Sequence, residues 1–599
     1  MSKMVAPPIT LLPPVQAPLA AAAAAILDTI DTYHADFLDI ARRARRRFES
    51  RDWHGRQQDA DERIDLYEHA LNLAVALLEA RLGASLRSQA FWAELKEEFA
   101  GLIAERHDAE LAETFFNSVT RKIFSTVGIN RDIEFFHVSG LRSLAPLEEV
   151  VYTHYASDHD TGAIIRRILA DHRFAMPYED LERDAELVAR EVDLYLWPLV
   201  GNVGSYAIEV INAPFYRNKV AYLVGRIQAG HHVLPFVLPL YHGERGVFVD
   251  TVLLTFDDVS TVFSFAFSYF HVEVRRHDEL IAFLRSILPG KPLAELYNAI
   301  GYERHGKTEL YRDLHRFIHE SNQQFVIAAG KEGSVMIAFT LPDYNFVFKV
   351  IKDRPVFLRS REVAPKGVTR AHVMSQYEFV RRRDRVGRMV DTQEFENLRF
   401  RRARFSPALL AEFVEAARES VAIDREFVVV RHLYVQRKVM PLPMYLENER
   451  DPETLRRVVL DFGYFLRDLA AAGIFLGDLF NTWNYGVTRS RRIVLFDHDD
   501  VMPIEQAEFL EKPRPRDDDE ELEPEEDRVV ARPGDFFVDE ISRYAGFPTR
   551  LHGIFDSTHA DLFTVAFWRS IKERVERGDM VDIAPYDRKK RFRFEVPLQ

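Results

Sequence analysis

Residues 325–352 read FVIAAGKEGSVMIAFTLPDYNFVFKVIK, and residues 474–500 read IFLGDLFNTWNYGVTRSRRIVLFDHDD. The first stretch is two β-rich runs around a glycine-bearing turn, with Lys349 set among apolar residues of the second run. The second stretch ends on a short strand, Ile493, Val494, Leu495 and Phe496, that runs into three acids and a histidine. Between them lie a helical run over about 370–415, a β-like run in EFVVVRHLYVQRKVMPL, and an amphipathic helix over 452–472. Strands first and helices later within one segment predict an α+β domain with two lobes.

The chemistry-bearing residues fall in an order that suits phosphoryl transfer. Ala328, Ala329, Gly330, Lys331, Glu332, Gly333 and Ser334 form a turn whose glycines let backbone amides approach phosphate oxygens. Lys349 on the following strand matches a lysine that pairs with nucleotide phosphates. Asp478 is followed by Asn481 and Asn484, the pattern of an aspartate that orients a hydroxyl and an asparagine that holds magnesium. Asp497 follows at the distance of a short hairpin, as a metal-binding aspartate would. Singly, these pieces have ordinary readings: a hairpin turn, a snorkelling edge lysine, a loop cap. Leu476 and Gly477 also stand where protein kinases carry His-Arg. Order and spacing together favour the kinase-like reading.

Working outward, residues 1–18 read as a flexible tail, and 19–127 as proline-free helices with apolar residues at three and four spacing. Residues 204–275 read as strands, with a hairpin turn over 242–246, and 277–300 as a further helical run. His231, His232 and His242 lie on a strand and its turn, where plain surface histidines are the simpler reading than a metal site. Residues 511–534 are acid- and proline-rich and read as a solvated insertion, and 551–578 as helical. The divisions are then a 1–18 tail, a mainly helical 19–305 domain with a β insertion, and a 306–599 catalytic domain carrying the acidic insertion.

The chain has 599 residues, 79 Lys plus Arg against 93 Asp plus Glu, and a net charge of -14, which argues against a general nucleic-acid binder. The absence of cysteine removes disulfides, thiolate zinc sites and cysteine nucleophiles, and fits a reducing compartment. The N-terminal alanine run is too short to span a bilayer and is followed by Asp28 and Asp31, so a soluble, cytoplasmic protein is expected.

GKEGSVMIAFTLPDYNFVFKVIKD, DRVGRMVDTQEFEN, VRHLYVQRKVMPL, NYGVTRSRRIVLFDHDD and FFNSVTRKIFSTVGINRDIEFFH resemble the isocitrate dehydrogenase kinase/phosphatase family, and the resemblance runs from about residue 60 onward. It implies a helix-rich N-terminal regulatory domain followed by a kinase-like domain. It also implies a bacterial, cytoplasmic, bifunctional enzyme that phosphorylates an active-site serine of isocitrate dehydrogenase and removes that phosphate. Flux between the citric acid cycle and the glyoxylate bypass would be controlled in this way. ATP and Mg2+ are the implied cofactors. AMP, bound between the domains, is the implied effector that favours the phosphatase.

Carried over by position, Ala328 to Ser334 is the nucleotide loop, Lys349 the phosphate-binding lysine, Asp478 the catalytic aspartate and Asp497 the main metal ligand. Asn484 is the magnesium asparagine, although one extra residue after Asp478 keeps Asn481 as its substitute. Asp384 lies in another signature with an assigned active-site aspartate; a structural Asp–Arg pair is the plainer physical reading. Glu378 is the candidate acidic partner of Lys349. Asp499 is the candidate that orients water for dephosphorylation, on the expectation that it shares a strand face with Asp497. The competing readings are a small-molecule kinase of the same fold and a non-catalytic pseudokinase, the latter opposed by the presence of Lys349, Asp478 and Asp497. The residues leave oligomeric state open, a homodimer included.

Overall fold

A computed structural model describes residues 16–137, 151–156, 160–200, 206–266, 268–330, 332–357, 366–477, 479, 481–512, 534–541, 547–579 and 583–593. Lys331, Asp478, nearly all of the 1–18 tail and all but the ends of the 511–534 insertion lie outside the described residues.

The first half opens with four helices, Gln16–Glu49, Trp53–Leu82, Gln89–Ile103 and Ala109–Phe124. Their apolar stripes meet in one core that includes Ile26, Ile30, Leu71, Leu78, Trp92, Phe99 and Phe116. Asp52 starts the second helix by accepting the Gly55 amide at 2.9 Å.

An antiparallel sheet follows, ordered Tyr152–Ala156, Ala207–Ile211, Val220–Ala229, His232–His242, Val247–Val249, with Phe215–Arg217 beside Val220–Ala229. Strand alternation explains why this sheet is apolar throughout. Ala221 and Leu223 face the helices Thr161–Asp171 and Leu181–Val200. Val220, Tyr222 and Val224 face His277–Ile287 and Leu293–Ala299 on the other side. The helical run expected over 277–300 is thus two helices, broken around Gly290 and Pro292. His242 is not a surface residue: it is buried, with Nδ1 2.8 Å from the Phe48 carbonyl.

The second half is built on a sheet ordered Thr392–Arg401, Phe427–Arg437, Phe346–Ile351, Met336–Thr340, Val326–Ile327, with Val421–Ile423 beside Phe427–Arg437. The helix Arg370–Arg383 packs by this sheet, Tyr377 lying on Tyr434 at a ring separation of 4.0 Å. The single helical run expected over 370–415 is corrected here. A ten-residue strand, Thr392–Arg401, separates Arg370–Arg383 from Pro407–Ala416. Phe395, Leu398 and Phe400 turn inward while charged neighbours face out, and pairing with Phe427–Arg437 decides the conformation.

Below the sheet, Asp451 caps the helix Pro452–Ala471 by accepting the Thr454 amide at 2.9 Å. Val458, Phe462, Phe465 and Leu469 of that helix form the centre of the lower core. Ile474–Leu476 pairs with Val501–Pro503, and Tyr485–Val487 with Ile493–Leu495. These short ladders position residues 481–484 and 496–500. Among the described residues, no helix is long and apolar enough to cross a membrane.

Candidate active site

Lys349 lies in the middle of the second sheet, paired in register with Ala338 on one side and Tyr434 on the other. Its side chain is buried and leaves the sheet toward the lower lobe. Nζ donates to the Phe496 carbonyl at 2.8 Å and to Asp497 Oδ1 at 3.1 Å. The ammonium is therefore held at the junction of the lobes by the residue expected to bind metal.

Above it, the turn between Val326–Ile327 and Met336–Thr340 forms a roof. Gly330 has φ +136°, a conformation that disfavours any side chain. At Gly333 a Cβ would fall 2.5 Å from the Met336 carbonyl, so the backbone packs too closely for another residue. Ala328, Ala329, Gly330, Glu332, Gly333 and Ser334 all line a cleft of about 880 Å³, and Lys349, Asn481, Asn484, Asp497, Asp499 and Asp500 line it from below. That volume suits a nucleotide-sized ligand. Glu332 reaches outward to Lys352 at 3.1 Å.

The two asparagines are placed by backbone bonds. Asn484 donates its amide to the Asn481 carbonyl at 2.9 Å, and its own carbonyl accepts the Phe496 amide at 3.1 Å. The second bond fastens Asn484 to the residue before Asp497. Asp497, Asn481 and Asn484 present only carboxylate and amide groups, whose oxygens are the donors that magnesium prefers.

Asp497, His498 and Asp499 lie in a loop and not on a strand, so the shared strand face expected for the two aspartates is corrected. The alternation survives in another form. Asp497 and Asp499 both line the cleft, while His498 is fully buried, 5.2 Å from the Tyr377 ring. His498 Nε2 lies 3.2 Å from the Leu495 carbonyl, and burial together with the Lys349 charge pushes the imidazole down to about 4. Neutral, it anchors the loop. Asp499 is pushed well above the ordinary carboxylate range by burial first and then by the charge of Asp497.

Two expected site residues are placed elsewhere. Glu378 is half-buried and pairs with Arg382 at 2.6 Å and Arg381 at 3.5 Å; the acidic partner of Lys349 is Asp497. The buried face of its helix carries Val373, Tyr377 and Val380, and Glu378 falls one position off that face. Asp384 is fully buried but does not line the cleft. Its Oδ1 accepts the amides of Val386 at 3.0 Å and Gly387 at 3.2 Å, closing the turn after the helix. Burial pushes its carboxyl up, against those amides and Arg385. Asp500 and Trp483 are cleft residues that sequence reasoning missed; Asp500 was visible only as the last acid of the run.

The family model described as "Isocitrate dehydrogenase kinase/phosphatase (AceK), regulatory domain" matches residues 23–322, and that described as "Isocitrate dehydrogenase kinase/phosphatase (AceK) kinase domain" matches 323–588. The chain is 45% identical over 575 residues to a protein of Anaeromyxobacter sp. (strain Fw109-5) named isocitrate dehydrogenase kinase/phosphatase, covering 96% of this chain and 98% of that one. Proteins of the same name from Anaeromyxobacter dehalogenans (strain 2CP-C) and Yersinia pseudotuberculosis serotype I (strain IP32953) are 42% and 37% identical. They cover 96% and 95% of this chain and 98% and 97% of their own lengths.

Proposed function

Because the chain belongs to the isocitrate dehydrogenase kinase/phosphatase family, we propose that it phosphorylates an active-site serine of isocitrate dehydrogenase and removes the same phosphate, both in the one cleft. The observation that carries this reading is Lys349, buried in the sheet with Nζ 3.1 Å from Asp497 beneath the glycine turn. In the cell, the consequence is cytoplasmic control of flux between the citric acid cycle and the glyoxylate bypass, with AMP as the effector.

In the kinase direction the ATP phosphates lie under the 328–334 turn, and Lys349 offers them its ammonium. Asp497, with Asn484 or Asn481, would hold Mg2+, which would supply charge neutralisation of the phosphates. Asp478 orients the serine hydroxyl and accepts its proton. Most of the rate comes from position and electrostatics. In the phosphatase direction, Asp499 orients the attacking water. The chain has no cysteine for a phosphocysteine intermediate.

Incubation with Mg-ATP and isocitrate dehydrogenase tests the reading. Serine phosphorylation is expected, and Lys349→Ala should lower it by about 10²–10³-fold. An unlabelled dehydrogenase would reject the assignment.

A further inference from the structure

The helices Ala109–Phe124 and Glu303–Glu320 meet at three side chains that the cleft does not use. One ligand atom each from Glu110, His305 and Glu309 lies within 4.8 Å of the other two. His305 and Glu309 are one helical turn apart on a single face, and Glu110 comes from the facing helix.

The orientation of His305 is what points to an ion. Its ring is 2% exposed. Nδ1 lies 2.9 Å from Thr114 Oγ1, and that hydroxyl directs its own proton to the Glu110 carbonyl at 3.1 Å. With Nδ1 engaged by Thr114, Nε2 is the ring nitrogen left to face the carboxylates. Nε2 is buried and has no hydrogen-bond partner. It faces Glu110 Oε2 at 3.7 Å and Glu309 Oε1 at 3.9 Å. Nε2 thus stands within 4 Å of two carboxylates and hydrogen-bonds to neither. A cation among the three atoms would engage all of them at once. Ligands held at about 2.1 Å from one centre stand roughly 3.4–3.7 Å apart, so the 3.7 and 3.9 Å from Nε2 to the two carboxylates would need only a small inward closure.

Charge balance agrees. Arg312 Nη1 lies 2.6 Å from Glu309 Oε1, and its Nη2 3.6 Å from Glu113 Oε2. Two carboxylates thus flank this guanidinium, and Glu110 brings a third to the His305 side of the cluster, an excess of negative charge that a divalent ion would offset. We propose that Glu110, His305 and Glu309 form a binding site for a zinc-type divalent cation that clamps the regulatory helices to the helix leading into the kinase sheet. One imidazole and two carboxylates favour Zn2+ over Mg2+.

The full-length protein, stripped with a chelator and kept in excess Mg2+ to occupy the cleft carboxylates, is titrated with Zn2+ while bound metal and melting temperature are followed. One retained equivalent and a higher melting temperature are expected. His305→Gln and Glu110→Gln should each weaken that binding by at least about tenfold, whereas Asp497→Asn should leave it intact. Glu110 lies in the first turn of its helix, half-buried, so Glu110→Gln decides the matter should His305→Gln fail to fold. No zinc uptake by the stripped protein, or an unchanged equivalent in Glu110→Gln, would overturn the proposal.

Discussion

Asp497 and Asp499 share a cleft but not an electrostatic role. Asp497 has the Lys349 ammonium at 3.1 Å, so its charge is matched before any metal arrives. Asp499 has burial and the Asp497 charge against it, which makes its carboxylate more basic than an ordinary one. Asp499→Ala is therefore expected to lower dephosphorylation about 10²-fold while phosphorylation falls less than about tenfold. Assays of both directions on one preparation check this, and equal losses would end the division of labour. Asp391 allows a test by pH. Its carboxylate accepts from Asn298 at 2.7 Å and Gln393 at 3.1 Å, yet burial, with Glu303 and Glu295 nearby, pushes it up to about 7. The unfolded carboxyl titrates near pH 4, so the folded state binds more protons between about pH 4 and 7. Stability attributable to Asp391 thus falls as pH rises through that window, and the loss is complete above it. Asp391→Asn keeps an acceptor for Asn298 and removes the charge. It should stabilise the protein at pH 8 by on the order of 2 kcal/mol and by almost nothing at pH 4. Urea unfolding at the two pH values decides; an equal gain at both would exclude the carboxylate as the cause.

The helix Arg370–Arg383 shows how one element ties the site to the rest of the chain. Its inner face carries Tyr377 against Tyr434 and His498, and so steadies the loop of Asp497. Its last turn sends Arg381 to Glu303, Arg382 to Asp65 and Arg383 to Glu505. The chain then turns at Asp384 and reaches Gly387, with φ +64° and the Phe265 ring 2.7 Å from where a Cβ would stand. Gly387→Ala should destabilise by about 1–3 kcal/mol through backbone strain and that clash. Gly553→Ala, inside the helix Thr549–Thr558 with nothing within 4 Å, should be neutral or stabilising by up to about 1 kcal/mol. Melting curves of the two variants check the contrast; similar losses in both would show that the glycine environment is not the reason. The same helix marks the limit of sequence reading. That the glycine turn, Lys349, Asn481, Asn484 and Asp497 would share one cleft was legible because each sits in a short string with its own local geometry. The partner of Lys349 was not, since it depends on how two lobes pack, and Glu378 satisfies the spacing of a candidate while pairing with Arg381 and Arg382. Asp384 entered as a candidate through the family resemblance, while the residues around it favoured a structural Asp–Arg reading; the structure places it at the turn after the helix, its Oδ1 accepting the Val386 and Gly387 amides. The strand Thr392–Arg401 was hidden because its pairing partner begins well beyond it in the chain.

At the scale of the whole molecule, residues 583–593 pack against the first half. Tyr586 Oη donates to Asp250 Oδ2 at 2.7 Å, Arg591 Nε reaches the same carboxylate at 2.9 Å, and the Phe592 amide donates to the Asp250 carbonyl at 2.7 Å. Arg593 adds a bond to Glu179 at 2.8 Å, and Thr251 one to the Lys590 carbonyl at 2.7 Å. Asp250 is fully buried beside the strand Val247–Val249, and burial pushes its carboxyl up against the pull of Arg591. Without the Arg591 guanidinium, this buried carboxylate keeps its desolvation penalty with the Tyr586 hydroxyl as its remaining close donor. Arg591→Ala should therefore destabilise the protein by about 2–4 kcal/mol. Asp250→Asn with Arg591→Ala removes both charges, and its loss should be smaller than the sum of the two single losses. If this clasp joins the halves, the single variant should also make the 583–593 segment more sensitive to protease than the rest of the second half. Urea midpoints of the two single variants and the double, with limited proteolysis of each, test the argument. Additive losses, or a tail as protected in Arg591→Ala as in the parent, would mean that the carboxylate is satisfied without it and that the halves are held together elsewhere.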